Sequence, residues 1–160
     1  MIVPAFPLLG EPGEFDELTL LSATVFLEAE GEPAPGPEAV AHVVMNRHRG
    51  WKLSVPQVIL GKDGRAYDDG RAFEVFSCWN DDYRRRAEAR LGAARDEAVF
   101  AWKAAAGALW TLTADPTLGA DHYLNVELTR KIRPDHGLPS WYDPAKVTVV
   151  LGRHTFLRLT

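Results

Sequence analysis

The chain of 160 residues has few of the features that cross-link a protein or anchor it in a membrane. Its one cysteine, Cys78, excludes an internal disulfide, and no histidine lies near it in sequence, so we expect no cysteine nucleophile. Residues 1–15 contain no basic residue and no long apolar run, which predicts neither a signal peptide nor a membrane span. The net charge of −4 argues against nucleic acid as the main partner.

The composition is that of one ordinary folded domain. Apolar residues make up 46% of the chain and charged residues 25%, which is enough for one core at this length. Prolines and glycines are frequent near the start, so we expect residues 1–15 to form an extended N-terminal arm. We expect residues 16–160 to form a single domain without a second module.

An apolar seam predicts a first helix that begins after Asp16 and ends near Glu28. The seam has the spacing of three, four and three residues that is typical of the core-facing side of a helix. Its members are Leu18, Leu21, Val25 and Glu28. Asp16 is a suitable N-cap, whereas Gly31 and Pro33 do not readily continue a helix. Glu28 is therefore a carboxyl group at a position where an apolar side chain is expected.

A carboxyl group at such a position needs either a partner or a chemical role. Glu28 lies near the negative end of the helix dipole and close to Phe26, and both surroundings disfavour its ionised form. A carboxyl group that stays protonated near neutral pH is what a general acid needs. The alternative is a structural ion pair between Glu28 and an arginine such as Arg47 or Arg49.

Proline positions and an apolar face predict the next two helices. The second helix has Pro37 in its first turn and ends at Gly50. Its apolar face consists of Ala39, Val40, Val43 and Val44. A short third helix is predicted over Ser54–Leu60, with Pro56 in its first turn.

The second half of the chain predicts one long helix and a β-hairpin. The helix is capped by Asp96 and extends from Glu97 to about Leu112, and its alanines permit close packing against the first two helices. Its predicted core side consists of Val99, Trp102, Ala106, Leu109 and Trp110. The segment from Lys146 to Leu159 predicts a hairpin, with Gly152 near its turn.

Two short segments carry side chains of the kind that line a sugar-binding groove. In the first, FSCWN, aromatic rings can stack on a pyranose while polar groups bind its hydroxyls. These residues are Phe76, Ser77, Trp79 and Asn80, and a core position is the alternative for Phe76. In the second, DHYLN, strand alternation places Tyr123 and Asn125 on one side and His122 on the other. Because no second histidine lies at ligand spacing from His122, we expect no metal and no other cofactor.

The segment FLEAEGEPAPGPEAVAHVVMNR resembles the opening motif of the bacterial cell wall hydrolase family. This family contains germination-specific spore-cortex lytic enzymes, and small phage endolysins share its domain. The family's essential glutamate falls on Glu28, and its Asn-Arg pair falls on Asn46 and Arg47, which makes both residues site-adjacent. Their alternative roles are a C-terminal cap and a solvated cation. Glu30 departs from the family, in which most members have arginine.

Later segments resemble further motifs of the same family. FEVFSCWN and DPTLGADHYLN match its second and third motifs, and the Gly-Arg-His of the predicted hairpin matches its end. The resemblance implies a mostly helical, lysozyme-like α+β domain with a small antiparallel sheet. It implies a lytic transglycosylase that cleaves the β-1,4 bond from N-acetylmuramic acid (MurNAc) to N-acetylglucosamine (GlcNAc) in peptidoglycan.

The implied mechanism uses Glu28 as the single catalytic residue and leaves 1,6-anhydro-MurNAc ends. The implied substrate-binding residues are Asn46, Phe76, Ser77, Trp79, Asn80, His122, Tyr123 and Asn125. A hydrolytic muramidase is the alternative within this class, and it needs a second carboxylate, for which Glu32 and Asp121 are candidates. A non-catalytic glycan-binding module would keep the aromatic residues without needing Glu28. A nucleic-acid binder would use the arginines at 84–86, which we otherwise expect to be solvated.

The expected setting is that of a phage endolysin, working as a monomer on bacterial peptidoglycan. We expect no nucleic-acid partner and no membrane insertion. Because residues 1–15 predict no signal peptide, we expect the protein to be made in the cytoplasm and to reach the cell wall after release by another component.

Overall fold

The structure is a computed structural model that describes residues 12–61, 76–79 and 95–160. Its α-helices in these ranges are α1 (Glu17–Glu28), α2 (Gly36–Trp51), α3 (Val55–Leu60), α4 (Arg95–Leu109) and α5 (Val126–Ile132). Its strands are β1 (His122–Leu124), β2 (Val147–Leu151) and β3 (His154–Leu157). The predicted α+β class with a small antiparallel sheet is confirmed. No described helix combines the length and the apolar character that a membrane crossing requires.

Helix α1 is the centre of the fold. Asp16 caps it as predicted, because its side chain accepts a hydrogen bond of 2.8 Å from the backbone N–H of Thr19. Every residue from 20 to 27 is buried, so the core surrounds the helix and is not confined to one seam. The buried hydroxyl of Thr24 is satisfied by the carbonyl of Leu20. The helix ends at Glu28, and Gly31 follows with a φ of 68°, as the predicted break requires.

Helix α2 has its predicted first turn, and α3 begins at Val55, one residue later than predicted, with Ser54 as its N-cap. The four predicted apolar residues of α2 are all buried, and Pro37 lies in its first turn. The predicted end at Gly50 was wrong by one residue, because the helix continues to Trp51 and Lys52 takes the left-handed conformation that terminates it. In α3, Ser54 and Gln57 form a complete capping box.

The predicted close packing of the α4 alanines is confirmed, and its predicted core side is correct in part, because Ala106 is buried, Trp102 and Leu109 pack against the core while partly exposed, and Trp110 lies outside it. The residues that α4 buries are mainly alanines, because the helix packs closely on α1 and α2 and this spacing leaves room for a methyl group. These residues are Ala98, Ala101, Ala104, Ala105, Ala106 and Ala108. The helix ends at Leu109 rather than near Leu112, and Trp110, which follows it, is 53% exposed.

The sheet has the strand order β1–β3–β2, and all its neighbours are antiparallel. The predicted hairpin is confirmed, with Gly152 at a φ of 55° in its turn. Strand β1 pairs with β3 so that Tyr123 lies opposite Phe156. Phe156 is fully buried and joins the sheet to α2 through Ala39 and Val43.

Helix α5 was not predicted, and none of its residues is buried. It begins directly after Asn125, which ends the predicted HYLN strand one residue early and acts as an N-cap. Several predictions concern residues outside the described ranges. They include most of the arm, the arginines at 84–86 and Asn80, and the side chain of Ser77 is likewise not described.

Candidate active site

Glu28 is the last residue of α1 and is partly exposed, in contrast to the eight buried residues before it. Two donors from distant parts of the chain hold its carboxyl group. The hydroxyl of Tyr123 donates to Oε2 over 2.8 Å, and the backbone N–H of Cys78 donates to Oε1 over 3.2 Å. The hydrogen bonds of Glu28 thus come from these two residues rather than from Arg47 or Arg49. The carboxyl group is fixed in orientation, and the residue as a whole remains partly exposed.

Tyr123 is the central residue of β1, and aromatic rings surround it. Its ring centroid lies 5.1 Å from that of His154, 5.6 Å from that of Phe156 and 6.4 Å from that of Phe76. Burial raises the pKa of Tyr123 well above its ordinary value, and the nearby charge of Glu28 raises it further. The phenol therefore keeps its proton and serves as a hydrogen-bond donor to Glu28.

The segment 76–79 contacts Oε1 of Glu28, the carboxyl oxygen that Tyr123 does not bind. Cys78 is buried, and burial together with the charge of Glu28 raises the pKa of its thiol well above the ordinary value. A protonated thiol is a poor nucleophile, and it is the backbone N–H of Cys78 that contacts Glu28. The segment is attached to α1 by Trp79, whose indole N–H donates to the hydroxyl of Thr24 over 3.0 Å. The Trp79 ring also packs edge-on against Phe15.

Arg47 lies behind the aromatic side of the site and is buried. Its guanidinium carbon is 5.2 Å from the ring centroid of Phe76 and 5.1 Å from that of Trp51. Its Nε donates to the backbone carbonyl of Asp121, two residues before Tyr123. The interpretation of Arg47 as a solvated cation was wrong. Phe76 is itself buried between Arg47 and Tyr123, so it supports the tyrosine from within the core, and its contact with substrate stays a prediction.

Three of the predicted substrate-binding residues make their described contacts with groups other than Glu28. Asn46 donates to the Asp115 carboxylate and to the carbonyl of Ala120, both at 2.8 Å, and so holds the turn that leads into β1. His122 is buried and stacks obliquely between the rings of Trp51 and Trp141. Asn125 caps α5 by accepting from Leu128 N–H. Their roles in substrate binding stay predictions.

The two candidates for a second carboxylate are both engaged inside the protein. The side chain of Glu32 is 2% exposed and accepts from Arg153 Nε over 2.6 Å. Asp121 is buried and accepts from His122 Nδ1 and from the backbone N–H groups of Leu159 and Thr160. Although burial raises the pKa of Asp121, these hydrogen bonds together lower it well below the ordinary value. Asp121 is thus an ionised carboxylate that attaches the end of the chain to β1.

Sequence reasoning missed several residues that shape the site. The N–H of Cys78 has no sequence signature, because any residue at that position supplies one. Arg153 and His154 belong to the Gly-Arg-His segment that was noted only as a resemblance, and they lie beside Glu32 and Tyr123. Within the described ranges, no three His, Cys, Asp or Glu side chains converge as a metal site would require.

Comparison with known proteins adds one match. No curated protein and no solved structure matches the chain. A family model described as Cell Wall Hydrolase matches residues 31–157, which is most of the chain and includes Tyr123, the 76–79 segment and the β-hairpin. The matched range begins three residues after Glu28, so the assignment of this glutamate depends on its geometry and on the opening motif. As its motifs indicated, the chain belongs to the cell wall hydrolase family, whose members act on peptidoglycan.

Proposed function

We propose that the protein is a peptidoglycan lytic transglycosylase with Glu28 as its single catalytic carboxyl group. It cleaves the β-1,4 bond between MurNAc and GlcNAc and leaves a 1,6-anhydro-MurNAc end. The observation that carries this proposal is the hydrogen bond from Tyr123 to Glu28, together with the partial exposure of the glutamate. A carboxyl group held by a tyrosine and a backbone N–H at the end of a buried helix is preorganised for proton transfer.

The first step is proton donation. Glu28 protonates the glycosidic oxygen as the bond from that oxygen to C1 of MurNAc breaks, so GlcNAc leaves with a new hydroxyl group. Each carboxyl oxygen accepts one hydrogen bond from the protein and keeps another lone pair, so either can carry the transferred proton. The hydrogen bonds from Tyr123 and Cys78 then stabilise the carboxylate that remains.

The second step uses the same carboxylate as a base. Glu28 accepts the proton of the C6 hydroxyl of MurNAc while the C6 oxygen bonds to C1 and closes the anhydro ring. Glu28 is thereby protonated again, and no water is consumed. The attacking hydroxyl is already tethered to the reacting ring, so this attack costs less entropy than the capture of a free water molecule.

The positions of Glu32 and Asp121 support a mechanism with one carboxylate. A hydrolytic muramidase needs a second carboxylate that faces the first across the scissile bond. Glu32 is buried in an ion pair with Arg153, and Asp121 is buried in hydrogen bonds with β1 and the last two residues. Of the described carboxylates that the sequence suggested, Glu28 is the one that combines exposure with fixed orientation.

Digestion of purified peptidoglycan in heavy-oxygen water tests this proposal. A transglycosylase gives anhydro products that are lighter by one water molecule than hydrolysed ones and contain no label. Label at the new MurNAc reducing end would mean hydrolysis, and the muramidase would replace the transglycosylase. Binding to peptidoglycan without any cleavage product would favour the glycan-binding module instead. Peptidoglycan treated in parallel with the Glu28→Gln variant controls for contaminating activity.

We also propose the setting in which this activity is used. By its resemblance to small phage endolysins, the protein is made in the cytoplasm, works as a monomer and acts on the cell wall after release, without a nucleic-acid partner. Expression inside bacteria with and without a separate membrane-permeabilising protein tests the release step, since lysis should require permeabilisation. Sedimentation of the purified protein, alone and with DNA at low salt, tests the oligomeric state and the absence of nucleic-acid binding.

A further inference from the structure

We infer that the turn between β2 and β3 (residues 152–153), together with His154 at the start of β3, positions the Glu28–Tyr123 pair, with Arg153 as the main positioning residue. The inference rests on the proposed role of Glu28 and goes beyond it. It assigns to a surface turn the task of fixing where the catalytic carboxyl group lies. The turn and His154 contact the protein on both sides of that group, through Glu32 on one side and Tyr123 on the other.

Arg153 connects the turn to the segment that follows α1. Its Nε donates to Glu32 Oε1 over 2.6 Å, its Nη2 donates to the carbonyl of Glu30 over 2.8 Å, and its backbone N–H donates to Glu32 Oε2 over 3.3 Å. The side chain of Arg153 is 62% exposed, whereas that of Glu32 is 2% exposed. An exposed arginine thus compensates the charge of a buried carboxylate.

These hydrogen bonds fix the chain directly after the catalytic residue. Glu30 and Glu32 lie two and four residues beyond Glu28, in the stretch where the backbone leaves the helix through Ala29 and Gly31. The end of a helix is held less firmly than its middle, because its last carbonyl groups have no partner within the helix. Arg153 supplies a restraint at Glu30 and Glu32, just beyond the end of α1.

Gly152 allows Glu32 to approach the backbone of the turn closely. A Cβ atom at this position would overlap Glu32 Oε2, and the φ of 55° is one that other residues adopt at a cost. The carboxylate of Glu32 therefore packs directly against the backbone of the turn. The position of the turn and the position of the segment after α1 are set together.

His154 extends the same turn to the other half of the pair. Its ring meets the Tyr123 ring edge to face, with centroids 5.1 Å apart, while its Nδ1 lies 4.0 Å from Glu32 Oε1. Burial lowers the pKa of His154, and the charge of Arg153 lowers it further. The charges of Glu32 and Glu28 act in the opposite direction but do not cancel the effect of burial. The neutral ring packs against Tyr123 and so limits where its hydroxyl can lie.

The Arg153→Gln variant tests the inference, and Arg158→Gln is its matched control. Arg158 is another exposed arginine, directly after β3, and the described hydrogen bond of its side chain is a long one of 3.4 Å to the carbonyl of Thr160. We measure kcat and KM on soluble uncrosslinked glycan strands, together with the melting temperature. Because a misplacement of about 1 Å can reduce a rate by about a hundredfold, Arg153→Gln should lower kcat at least about tenfold with little change in KM. Arg158→Gln should match the parent.

The Arg153→Lys variant separates positioning from general stabilisation. Lysine keeps the positive charge beside Glu32, but it has no planar group that can bind Glu32 and the Glu30 carbonyl together. We expect a melting temperature close to that of the parent and a reduced kcat. A parent-like kcat in this variant would overturn the inference, and this test stands even if Arg153→Gln does not fold. Glu28→Gln is measured alongside, because activity in that variant would overturn the proposed function itself, independently of Arg153.

Discussion

The hydroxyl of Tyr123 lies 2.8 Å from Oε2 of Glu28, although 95 positions separate the two residues in sequence. This hydrogen bond joins the end of the central helix to the first strand of the sheet. Burial and the charge of the glutamate raise the pKa of Tyr123. The tyrosine therefore stays protonated and donates its hydrogen bond to Glu28.

Replacement of Glu28 by glutamine should abolish lysis while leaving the fold intact. Glutamine keeps the shape of the side chain and accepts the Tyr123 hydrogen bond, but it cannot deliver an acid proton. Removal of a general acid lowers a rate by about a hundredfold or more. The clearing of purified cell walls measures this, and Glu17→Gln is the control because Glu17 is exposed in the first turn of the same helix. Clearing by Glu28→Gln at the parent's rate would rule out the assignment.

Replacement of Tyr123 by phenylalanine should reduce kcat about tenfold, since one hydrogen bond to the carboxylate is lost. The ring contacts with Phe76, His154 and Phe156 remain, so the free energy of unfolding should change by about 1 kcal/mol or less. Urea unfolding and steady-state rates on glycan strands measure the two effects separately. An unchanged kcat would show that the tyrosine does not act on Glu28 during the reaction.

Replacement of Trp79 by alanine should mainly destabilise the protein. The indole is hydrogen-bonded to Thr24 and packed on Phe15, so we expect a loss of about 3 kcal/mol in the free energy of unfolding. Trp110→Ala is the matched control, because Trp110 is exposed and should tolerate the change. If Trp79→Ala instead keeps its stability and raises KM, the residue is a substrate contact, as the sequence predicted.

Replacement of Asp121 by asparagine should weaken folding but leave the rate of the folded enzyme unchanged. The carboxylate accepts from His122, Leu159 and Thr160, and the amide group of asparagine would face one of these donors. We expect a loss of about 2 kcal/mol in the free energy of unfolding. A large fall in kcat with unchanged stability would favour the muramidase, with Asp121 as its second carboxylate.

Acidification from pH 7 to pH 5 should destabilise the protein through His42 and His154. Burial lowers the pKa of both below the ordinary value of about 6.5. The unfolded chain therefore binds protons that the folded protein does not, and stability falls as the pH decreases below about 6.5. The carboxylates Asp115 and Asp121 also have lowered pKa values, but their contributions are lost only below about pH 4.

Urea unfolding at pH 7 and pH 5 measures this effect. The His42→Gln variant should show a smaller difference between the two pH values than the parent, because one of the two titrating groups is gone. Equal stability of the parent at both pH values would contradict the assignment of the histidines.

Much of the fold follows from signals that are local in the sequence. Asp16 and Ser54 cap their helices, and prolines and glycines mark where helices begin and end, because these effects act within a few residues. The alternating segment around Gly152 likewise identified the hairpin, and the opening motif made Glu28 the candidate acid. The local signals failed for α5, which buries nothing, and for the end of α4, which stops at Leu109 before the predicted Leu112.

The sequence by itself determined most of the elements and the family, and it suggested Glu28 as the candidate catalytic residue. Only the tertiary structure decided what surrounds that residue: that a tyrosine rather than an arginine contacts it, that Arg47 is buried, and that Arg153 compensates Glu32. The physical reason is that each of these contacts joins segments far apart in the chain. Their distances depend on how helices and sheet pack against one another, and periodicity or capping within one segment carries no information about that packing.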